Sequence, residues 1–347
     1  MSSDAPIPAI ALPTAHDVAV DRAQTGLPRG YLPIDVALLT SGPRRGFDLF
    51  RRVSEQMVLF CAAGYRLSNK AMENLRGDQE CTLYVPVEQG EPLTRYAEAA
   101  LTKTMRDTRL PVGRRTEILH TTARTIMADI LANPAAADVV RRGARIASAT
   151  VDLFAQDHAA LRSMAALFTR DYYTYTHCVH TCVLGVALYK YLISPKLDQL
   201  RRFGLGMLLH DTGKSLVDPQ ILNKPARLTE NEFRQMQIHP LMGWRTLQQQ
   251  GVSDDLIRQA VLCHHEKLDG SGYPGGLHAK DLDPPARVAA IVDVYDALTT
   301  DRQYRPAMPH FEAIELMRNA MLGDHLDPEY FFVFEQVSRT MGTDLAA

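Results

Sequence analysis

The sequence contains few cysteines, and none of them form the pairs that build zinc or redox sites. Five occur among 347 residues, and no CxxC motif is present. Their number is odd and they are scattered along the chain: Cys61, Cys81, Cys178, Cys182 and Cys263. We therefore expect reduced, mostly buried cysteines, as in a cytosolic protein.

Long apolar runs and a one-sided charge are also missing. No stretch approaches the roughly 20 apolar residues that a membrane-spanning helix needs, and the N-terminus has no basic segment followed by an apolar core. The formal net charge is −2, so bulk electrostatics favour neither a nucleic-acid polymer nor an anionic membrane as a partner. Any phosphate recognition must be local, and we expect a cytoplasmic protein without a membrane span.

The length of the chain and its hydrophobic patterns predict two domains and a mainly α fold. Residues 1–30 show no periodicity, which predicts a flexible segment. Residues 31–90 mix β-like runs at 56–60 and 81–85 with a helical patch at 70–76, and apolar residues then recur at helical spacing. Pro111 and Pro134 should separate successive helices.

These patterns set the predicted domain limits. A small α+β and then helical domain of regulatory or sensory type is expected over 31–138. A connecting helix over 139–168 leads into an all-α domain over 160–347. One helix start is well marked: Thr229 and Glu232 are spaced as in a capping box.

Histidines and aspartates follow one another in a distinctive series through the C-terminal half. The series consists of His177, His210, Asp211, His239, His264, His265 and Asp293. Imidazole and carboxylate are ligands that suit iron, manganese, zinc and similar ions. Seven such groups exceed what one ion binds, and they suit two ions that share a bridging carboxylate.

The context of these residues matters more than their types. A lone histidine on an apolar helix face, such as His120 or His180, is more often a hydrogen-bonded core or surface residue than a ligand. His210 and Asp211, however, follow an apolar run at 205–209 and precede Lys214. A buried helix would deliver two ligands and a cation to one end, and a hydrophobic core has no need of a lysine there.

Three longer motifs contain five residues of this series, and His177 and His239 lie outside them. The motifs read LLHDTGK at 208–214, HHEKLDGSGYP at 264–274 and ARVAAIVDVYDALTTDRQYR at 286–305. Over about residues 160–340 the chain thereby resembles the HD-GYP branch of the HD phosphohydrolase superfamily. The resemblance implies one ion on His177, His210, Asp211 and Asp293, and a second on Asp211, His239, His264 and His265. The expected cofactors are two divalent transition-metal ions, iron or manganese ahead of zinc or nickel.

The same resemblance implies an enzyme. Its expected reaction is hydrolysis of the phosphodiester bonds of cyclic di-GMP by a metal-activated hydroxide, giving linear dinucleotide, GMP or both, in bacterial second-messenger signalling. Two alternatives stay open: a hydrolase of a different cyclic dinucleotide, and a cyclic-dinucleotide receptor with weak or no turnover. The expected protein partner is a second copy of the chain or a regulatory protein, and either would bind through the N-terminal domain.

Three residues beyond the ligand set are candidates for catalysis or substrate binding. Lys214 follows Asp211 by three residues and is assigned to a phosphate oxygen. Its alternative is a solvated lysine after a helix-ending glycine. Gly272 and Tyr273 lie in a glycine-rich loop that can bring backbone and a hydroxyl close to a ligand. Asp211 and Lys214 are the expected catalytic pair.

Two arginines complete the predicted substrate site. Arg302 and Arg305 are three residues apart and could share a helix face, where guanidinium groups bind phosphate or stack on guanine. The alternative for either arginine is a salt bridge with Asp296 or Asp301.

The number of ions rests on one departure from a pattern seen in part of the family. Some HD-GYP domains carry a glutamate one helical turn before the first histidine, where it helps to recruit a third ion. That position, four residues before His177, is Tyr173. Asp171 is about 240° away around an ideal helix and should point elsewhere. We therefore expect two metal ions per chain.

Overall fold

The computed structural model describes residues 28–40, 44–54, 56–77, 82–168, 174–224, 226–301 and 305–341. These residues form two compact units that divide between residues 111 and 112. The predicted fold class is confirmed: the N-terminal unit is α+β, and the C-terminal unit is helical. Within the described ranges, no helix is both long enough and apolar enough to cross a membrane.

The N-terminal unit contains a four-stranded antiparallel sheet with the strand order β1-β4-β2-β3. The strands are β1 (Tyr31–Ile34), β2 (Leu49–Val53), β3 (Gln56–Cys61) and β4 (Leu83–Pro86). Two helices, α1 (Asn69–Gly77) and α2 (Gly90–Met105), accompany the sheet. Phe47 and Leu49 pack with Leu83 of β4 and Met72 of α1 in one buried core. The strand predicted at 56–60 and the helix predicted at 70–76 are confirmed as β3 and α1.

The C-terminal unit is a set of packed helices, and the breaks predicted at Pro111 and Pro134 are confirmed. The helices are α3 (Val112–Ala132), α4 (Val139–Gln156), α5 (Ala160–Ala165), α6 (Thr174–Ile193), α7 (Leu197–Leu209), α8 (Pro219–Leu222), α9 (Glu230–Met236), α10 (His239–Gln249), α11 (Asp255–Leu262), α12 (Pro284–Thr299), α13 (His310–Met321) and α14 (Pro328–Arg339). The capping box predicted at the start of α9 is confirmed: Thr229 accepts from the backbone of Glu232, whose carboxylate accepts from the backbone of Thr229.

The single helix predicted over 139–168 is wrong, because two helices occupy that range. α4 ends at Gln156, and Asp157 has an extended backbone with φ −142° and ψ 113°. The Asp157 carboxylate accepts from the backbone of Ala159 and from Arg115, so its side chain favours a turn over continued helix. α4 packs against α7 and α3 inside the C-terminal unit. The domain limits at 138 and 160 remain a prediction.

α6 lies at the centre of the C-terminal unit. Every side chain from Thr174 to Tyr189 is buried, as expected for a helix with no continuous polar face. Helices α3, α7 and α12 pack around it. This packing brings segments from distant parts of the sequence beside the first turn of α6.

Candidate metal centre

The structure brings together all seven residues of the histidine and aspartate series. His177 lies in the first turn of α6 and Asp293 in the middle of α12, whereas His239 is the first residue of α10. The other four lie within three residues of the ends of α7 and α11: His210, Asp211, His264 and His265. Helix ends thus deliver most of the cluster to one buried point.

The cluster consists of two groups of side chains. The first, called here the Asp293 group, comprises His177, His210 and Asp293. In it, the His177 Nε2 atom lies 3.2 Å from the His210 Nε2 atom and 3.0 Å from the Asp293 Oδ1 atom.

The second, called the triple-histidine group, comprises His239, His264 and His265. The Nε2 atoms of His239 and His264 are 3.2 Å apart. The Nδ1 atom of His265 lies 3.6 Å from the Oδ2 atom of Asp293, so the two groups adjoin.

Asp211 lies between the two groups and presents one carboxylate oxygen to each. Its Oδ2 atom is 3.5 Å from His177 Nε2 and 3.6 Å from His210 Nε2. Its Oδ1 atom is 3.3 Å from His239 Nε2 and 3.7 Å from His264 Nε2. This is the position that a carboxylate shared by two ions requires.

Backbone carbonyls fix the tautomers of three of the histidines. The Nδ1 atoms of His210, His239 and His264 lie 2.7, 2.8 and 2.9 Å from the carbonyl oxygen three residues earlier. A carbonyl oxygen only accepts, so each Nδ1 carries the hydrogen and each Nε2 presents a lone pair. The backbone therefore aims three unprotonated nitrogens at the centre of the cluster.

A carboxylate orients the remaining histidine of the Asp293 group. The His177 Nδ1 atom is 2.7 Å from Asp296 Oδ2, and the other oxygen of Asp296 is 3.1 Å from the Nδ1 atom of His180. The sequence indicated Asp296 only as a salt-bridge partner for an arginine. In the structure its carboxylate contacts the Nδ1 atoms of His177 and His180 instead. One signal for this was available: Asp296 follows Asp293 by three residues and so shares its helix face.

The donor set fits cations. In the triple-histidine group the facing Nε2 atoms of His239 and His264 both carry lone pairs, and such a pair repels at 3.2 Å unless a cation lies between them. The Oδ1 atom of Asp211 is buried and accepts no hydrogen bond from the described residues. Nitrogen and carboxylate donors that converge without a hydrogen are the chemistry of a metal site. His/Asp groups able to hold metal ions are thus present on both sides of Asp211.

The protonation states in the cluster match this chemistry. Burial lowers the pKa of His265 to about 3 and lowers those of His210, His239 and His264. For Asp211, burial opposes ionisation, but the Lys214 ammonium and the nearby imidazoles outweigh it and hold the pKa well below its usual value. Neutral imidazoles and ionised carboxylates are the forms that bind metals.

His177 behaves differently from the other histidines. Burial opposes its charged form, but hydrogen bonds with Asp293 and Asp296 outweigh burial and raise the pKa of His177 to about 9. At neutral pH this imidazole takes up a proton when no other cation is present, and a metal ion would have to displace that proton.

Lys214 points into the cluster. Its Nζ atom is 2.6 Å from the Asp211 Oδ2 atom, and the residue is only 3% exposed, so the alternative of a solvated surface lysine is wrong. It belongs to a 3₁₀ helix, Thr212–Leu216, that packs against α10. A Cβ atom at Gly213 would lie 1.9 Å from the carbonyl oxygen of His239, so this close approach requires glycine.

The glycine-rich loop after α11 is fixed by a residue that was not singled out. The buried Glu266 carboxylate accepts hydrogen bonds from the backbone of Gly275 at 2.6 Å and Leu277 at 3.0 Å. A Cβ atom at Gly272 would lie 2.4 Å from the backbone nitrogen of Lys267. The Tyr273 ring centroid is 4.7 Å from that of His265, and burial raises the phenol pKa well above its usual value, so the hydroxyl remains a donor.

The structure describes only one of the two predicted substrate arginines. Arg302 lies outside the described residues, as do Tyr173 and Asp171. Arg305 donates to the carbonyl oxygens of Ala297 and Leu298 at the C-terminal end of α12 and to that of the adjacent Pro306. The predicted helix does not reach Arg305, because α12 ends at Thr299 and the next residue is extended. A phosphate contact of Arg305 remains a prediction.

Comparison with known proteins agrees with this geometry. Residues 186–330 match the family described as HD domain. A cyclic di-GMP phosphodiesterase of Pseudomonas aeruginosa is 43% identical over 175 residues, which is 50% of this chain and 42% of the relative. A 3′3′-cGAMP-specific phosphodiesterase 1 of Vibrio cholerae is 39% identical over 137 residues, covering 38% of this chain and 30% of the relative. The chain thus spans less than half the length of these relatives.

A solved structure resembles most of the chain. It is an HDG"Y"P protein from Bdellovibrio bacteriovorus, with a TM-score of 0.60 and 19% identity over 89% of this chain and 99% of that one. At this identity the likeness shows the fold alone. Residues 186–330 thus match an HD domain, and the motifs in and around this range resemble those of the HD-GYP branch.

Proposed function

We propose that this chain hydrolyses the phosphodiester bonds of a cyclic dinucleotide, with cyclic di-GMP as the substrate. The observation that carries the proposal is the position of Asp211, with one carboxylate oxygen toward each histidine group. Phosphodiester hydrolysis needs positive charge at both the attacking and the leaving oxygen, and two cations that share one carboxylate provide it.

The proposed cofactors are two divalent ions, iron or manganese. His177, His210, Asp211 and Asp293 would hold one, and Asp211, His239, His264 and His265 the other. Zinc and nickel accept the same donor atoms, so the metal that the cell supplies also decides the occupant. When bound, such ions act as Lewis acids that make water more acidic and stabilise charge at phosphorus.

The residues of the chain have separate tasks around that centre. Lys214 keeps Asp211 ionised through its 2.6 Å contact, and its ammonium can also bind a phosphate oxygen. Tyr273 supplies a protonated hydroxyl beside His265. Glu266 holds the backbone of the loop that carries Tyr273. We propose Asp211 and Lys214 as catalytic residues, with Gly272, Tyr273, Arg302 and Arg305 in contact with the substrate.

The choice between cyclic dinucleotides rests on the relatives. The Pseudomonas aeruginosa relative is named for cyclic di-GMP and the Vibrio cholerae relative for 3′3′-cGAMP. The former matches more residues at higher identity, which favours cyclic di-GMP. Hydrolysis of 3′3′-cGAMP is the second candidate, because phosphate and metal contacts alone do not distinguish one nucleobase from another.

The test is product chromatography after incubation of the full chain, loaded with a measured amount of metal, with cyclic di-GMP and 3′3′-cGAMP. We expect linear dinucleotide, GMP or both from cyclic di-GMP. A fully loaded protein that binds cyclic di-GMP without forming product would overturn the enzyme proposal and favour a receptor.

A lysine pair sharpens this test. Lys214→Met should lower turnover by about 100-fold, the usual cost of losing a charge-stabilising donor, while bound metal is measured in parallel. Lys280→Met changes an exposed lysine and should leave turnover unchanged. Equal turnover in the two variants would remove Lys214 from the catalytic machinery.

A further inference from the structure

A buried guanidinium with too few partners lies in the N-terminal unit. Arg45 is 2% exposed. Its Nη2 atom donates to the Cys61 Sγ atom at 3.1 Å and to the carbonyl oxygen of Tyr65 at 3.2 Å. Its Nε and Nη1 atoms are buried as well, and neither has a hydrogen-bond partner in the part of the chain that the structure describes.

This arrangement is unfavourable as it stands. A guanidinium is always charged, and a charge in a dry interior is stabilised only when it is paired and hydrogen-bonded. Unsatisfied buried donors of this kind are rare in proteins and call for an explanation. An anion beside Arg45 would supply both the missing charge and the missing acceptors.

The nearest group that can become an anion is the sulfur of Cys61. This residue ends β3, an outer strand of the sheet. It is partly exposed, whereas Cys178, Cys182 and Cys263 are buried. Cys61 is therefore the described cysteine that a small solute reaches most readily, and a buried cation already contacts its sulfur.

We propose that Cys61 is an oxidation site for small hydroperoxides, with Arg45 as its positioning residue. The sulfur attacks one oxygen of hydrogen peroxide, so that an S–O bond forms as the O–O bond breaks. The other oxygen leaves with the electron pair and takes the thiol proton, which gives water. The thiol is oxidised to a sulfenic acid and the peroxide is reduced.

Arg45 acts on both sides of this step. Before it, the hydrogen bond from Nη2 holds the sulfur in place at 3.1 Å. After it, the ionised sulfenic oxygen accepts from the free N–H groups of Arg45, which relieves their unsatisfied burial. The site lies in the unit that does not contain the histidine cluster, so this inference is independent of the proposed hydrolase activity.

The test uses the full chain, hydrogen peroxide and a cyclic diketone that labels sulfenic acids, followed by trypsin and mass spectrometry. Cys61 falls in peptide 53–66, and the other four cysteines fall in other peptides. We expect Cys61 to be labelled about tenfold faster than Cys178, Cys182 and Cys263, because oxidation requires exposure and those three are buried. Labelling of Cys61 at the rate of those three would overturn the proposal.

A pair of arginine variants tests the role of the guanidinium. Arg45→Met should slow labelling of Cys61 by about tenfold, since the sulfur and the sulfenic oxygen lose the N–H donors that position and stabilise them. Arg95→Met removes an arginine of the same unit whose side chain is 73% exposed, and it should leave the rate unchanged. A folded Arg45→Met protein with wild-type labelling of Cys61 would contradict the proposal. If that variant does not fold, the comparison of cysteines within the wild-type protein decides alone.

Discussion

The two histidine groups that meet at Asp211 are held in place by different means. In the triple-histidine group, His239 and His264 each bond a carbonyl oxygen three residues earlier. In the Asp293 group, His177 depends on Asp296, which is 119 residues away in the chain. His210 of the Asp293 group is fixed in the same local way, so the two groups differ at His177, whose orientation depends on helix packing.

The electrostatic environments of the two groups also differ. Burial, together with His239 and Lys214, lowers the pKa of His265 to about 3, whereas the carboxylates around His177 outweigh burial and raise its pKa to about 9. The triple-histidine group thus offers neutral imidazoles to a cation at neutral pH. The Asp293 group offers more negative charge but exchanges a proton for its ion.

Removing what the two groups share should have the largest effect. Asp211→Asn keeps the shape of the side chain but removes the charge that faces both groups. We expect both ions to be lost and turnover to fall by about 1000-fold or more, because charge stabilisation by the site disappears. Elemental analysis and product chromatography measure the two effects. Asp255→Asn, at a carboxylate that is 82% exposed, is the control and should match the wild type.

A glycine substitution should damage the triple-histidine group first. A Cβ atom at Gly213 would overlap the carbonyl oxygen of His239, at 1.9 Å, so Gly213→Ala must push α10 away. We expect a loss of about 3 kcal/mol in unfolding free energy, the upper range for overpacking, with loss of bound metal. At Gly113 a Cβ atom would meet only the Ser163 hydroxyl, at 3.9 Å. Gly113→Ala should therefore bind metal normally in the same denaturation and metal assays.

The Asp293 group can be weakened separately. Asp296→Asn replaces the carboxylate that orients His177 without touching a proposed ligand. Partners of metal-binding histidines contribute about 10–100-fold to metal affinity, so one ion should bind that much more weakly. Titration of metal into the stripped protein should then resolve two steps. Equal weakening of both steps would contradict the separation of the groups.

The smallest effect concerns a histidine that stacks behind the Asp293 group. The His120 ring is 5.7 Å from that of His180, and burial, with help from His180 and Arg124, lowers its pKa to about 3. Between pH 6.5 and 3 the unfolded chain binds a proton at this residue and the folded chain does not. Stability from this source is therefore complete above pH 6.5 and falls by up to about 1.4 kcal/mol per pH unit on acidification.

His120→Leu tests this dependence. Its unfolding free energy should fall less steeply than that of the wild type between pH 6 and pH 5, by about 1 kcal/mol. Denaturant titrations at the two pH values measure the difference. Parallel pH profiles would mean that His120 already binds a proton in the folded protein.

The local parts of the site could be predicted from the sequence. The apolar run that ends at Leu209 predicts a buried helix that delivers His210 and Asp211, and the structure has α7 in that place. The role of Asp296 could not be predicted, because the packing of α12 on α6 sets its contact with His177. Similarly, nothing local distinguishes Gly213 from a helix-ending glycine, since its constraint comes from α10.

The fold could likewise be predicted where its features are local, but not where they depend on distant residues. Helical periodicity and Pro111 and Pro134 were sufficient to separate α2, α3 and α4. The sequence does not predict that the helix is interrupted at Asp157, because the interruption depends on a hydrogen bond with Arg115, 42 residues earlier. In the N-terminal unit the sequence pattern predicts strand β3. It does not predict that β4 lies between β1 and β2, because that position depends on long-range strand pairing.

The central claim is that Asp211 is shared by two ions, one on each histidine group. Anomalous scattering from crystals of the full chain, grown with its native metal, tests it most directly. We predict two full-occupancy peaks per chain, one beside each oxygen of Asp211. A single peak would mean that one histidine group is not a metal site, and three peaks would contradict the count predicted from Tyr173.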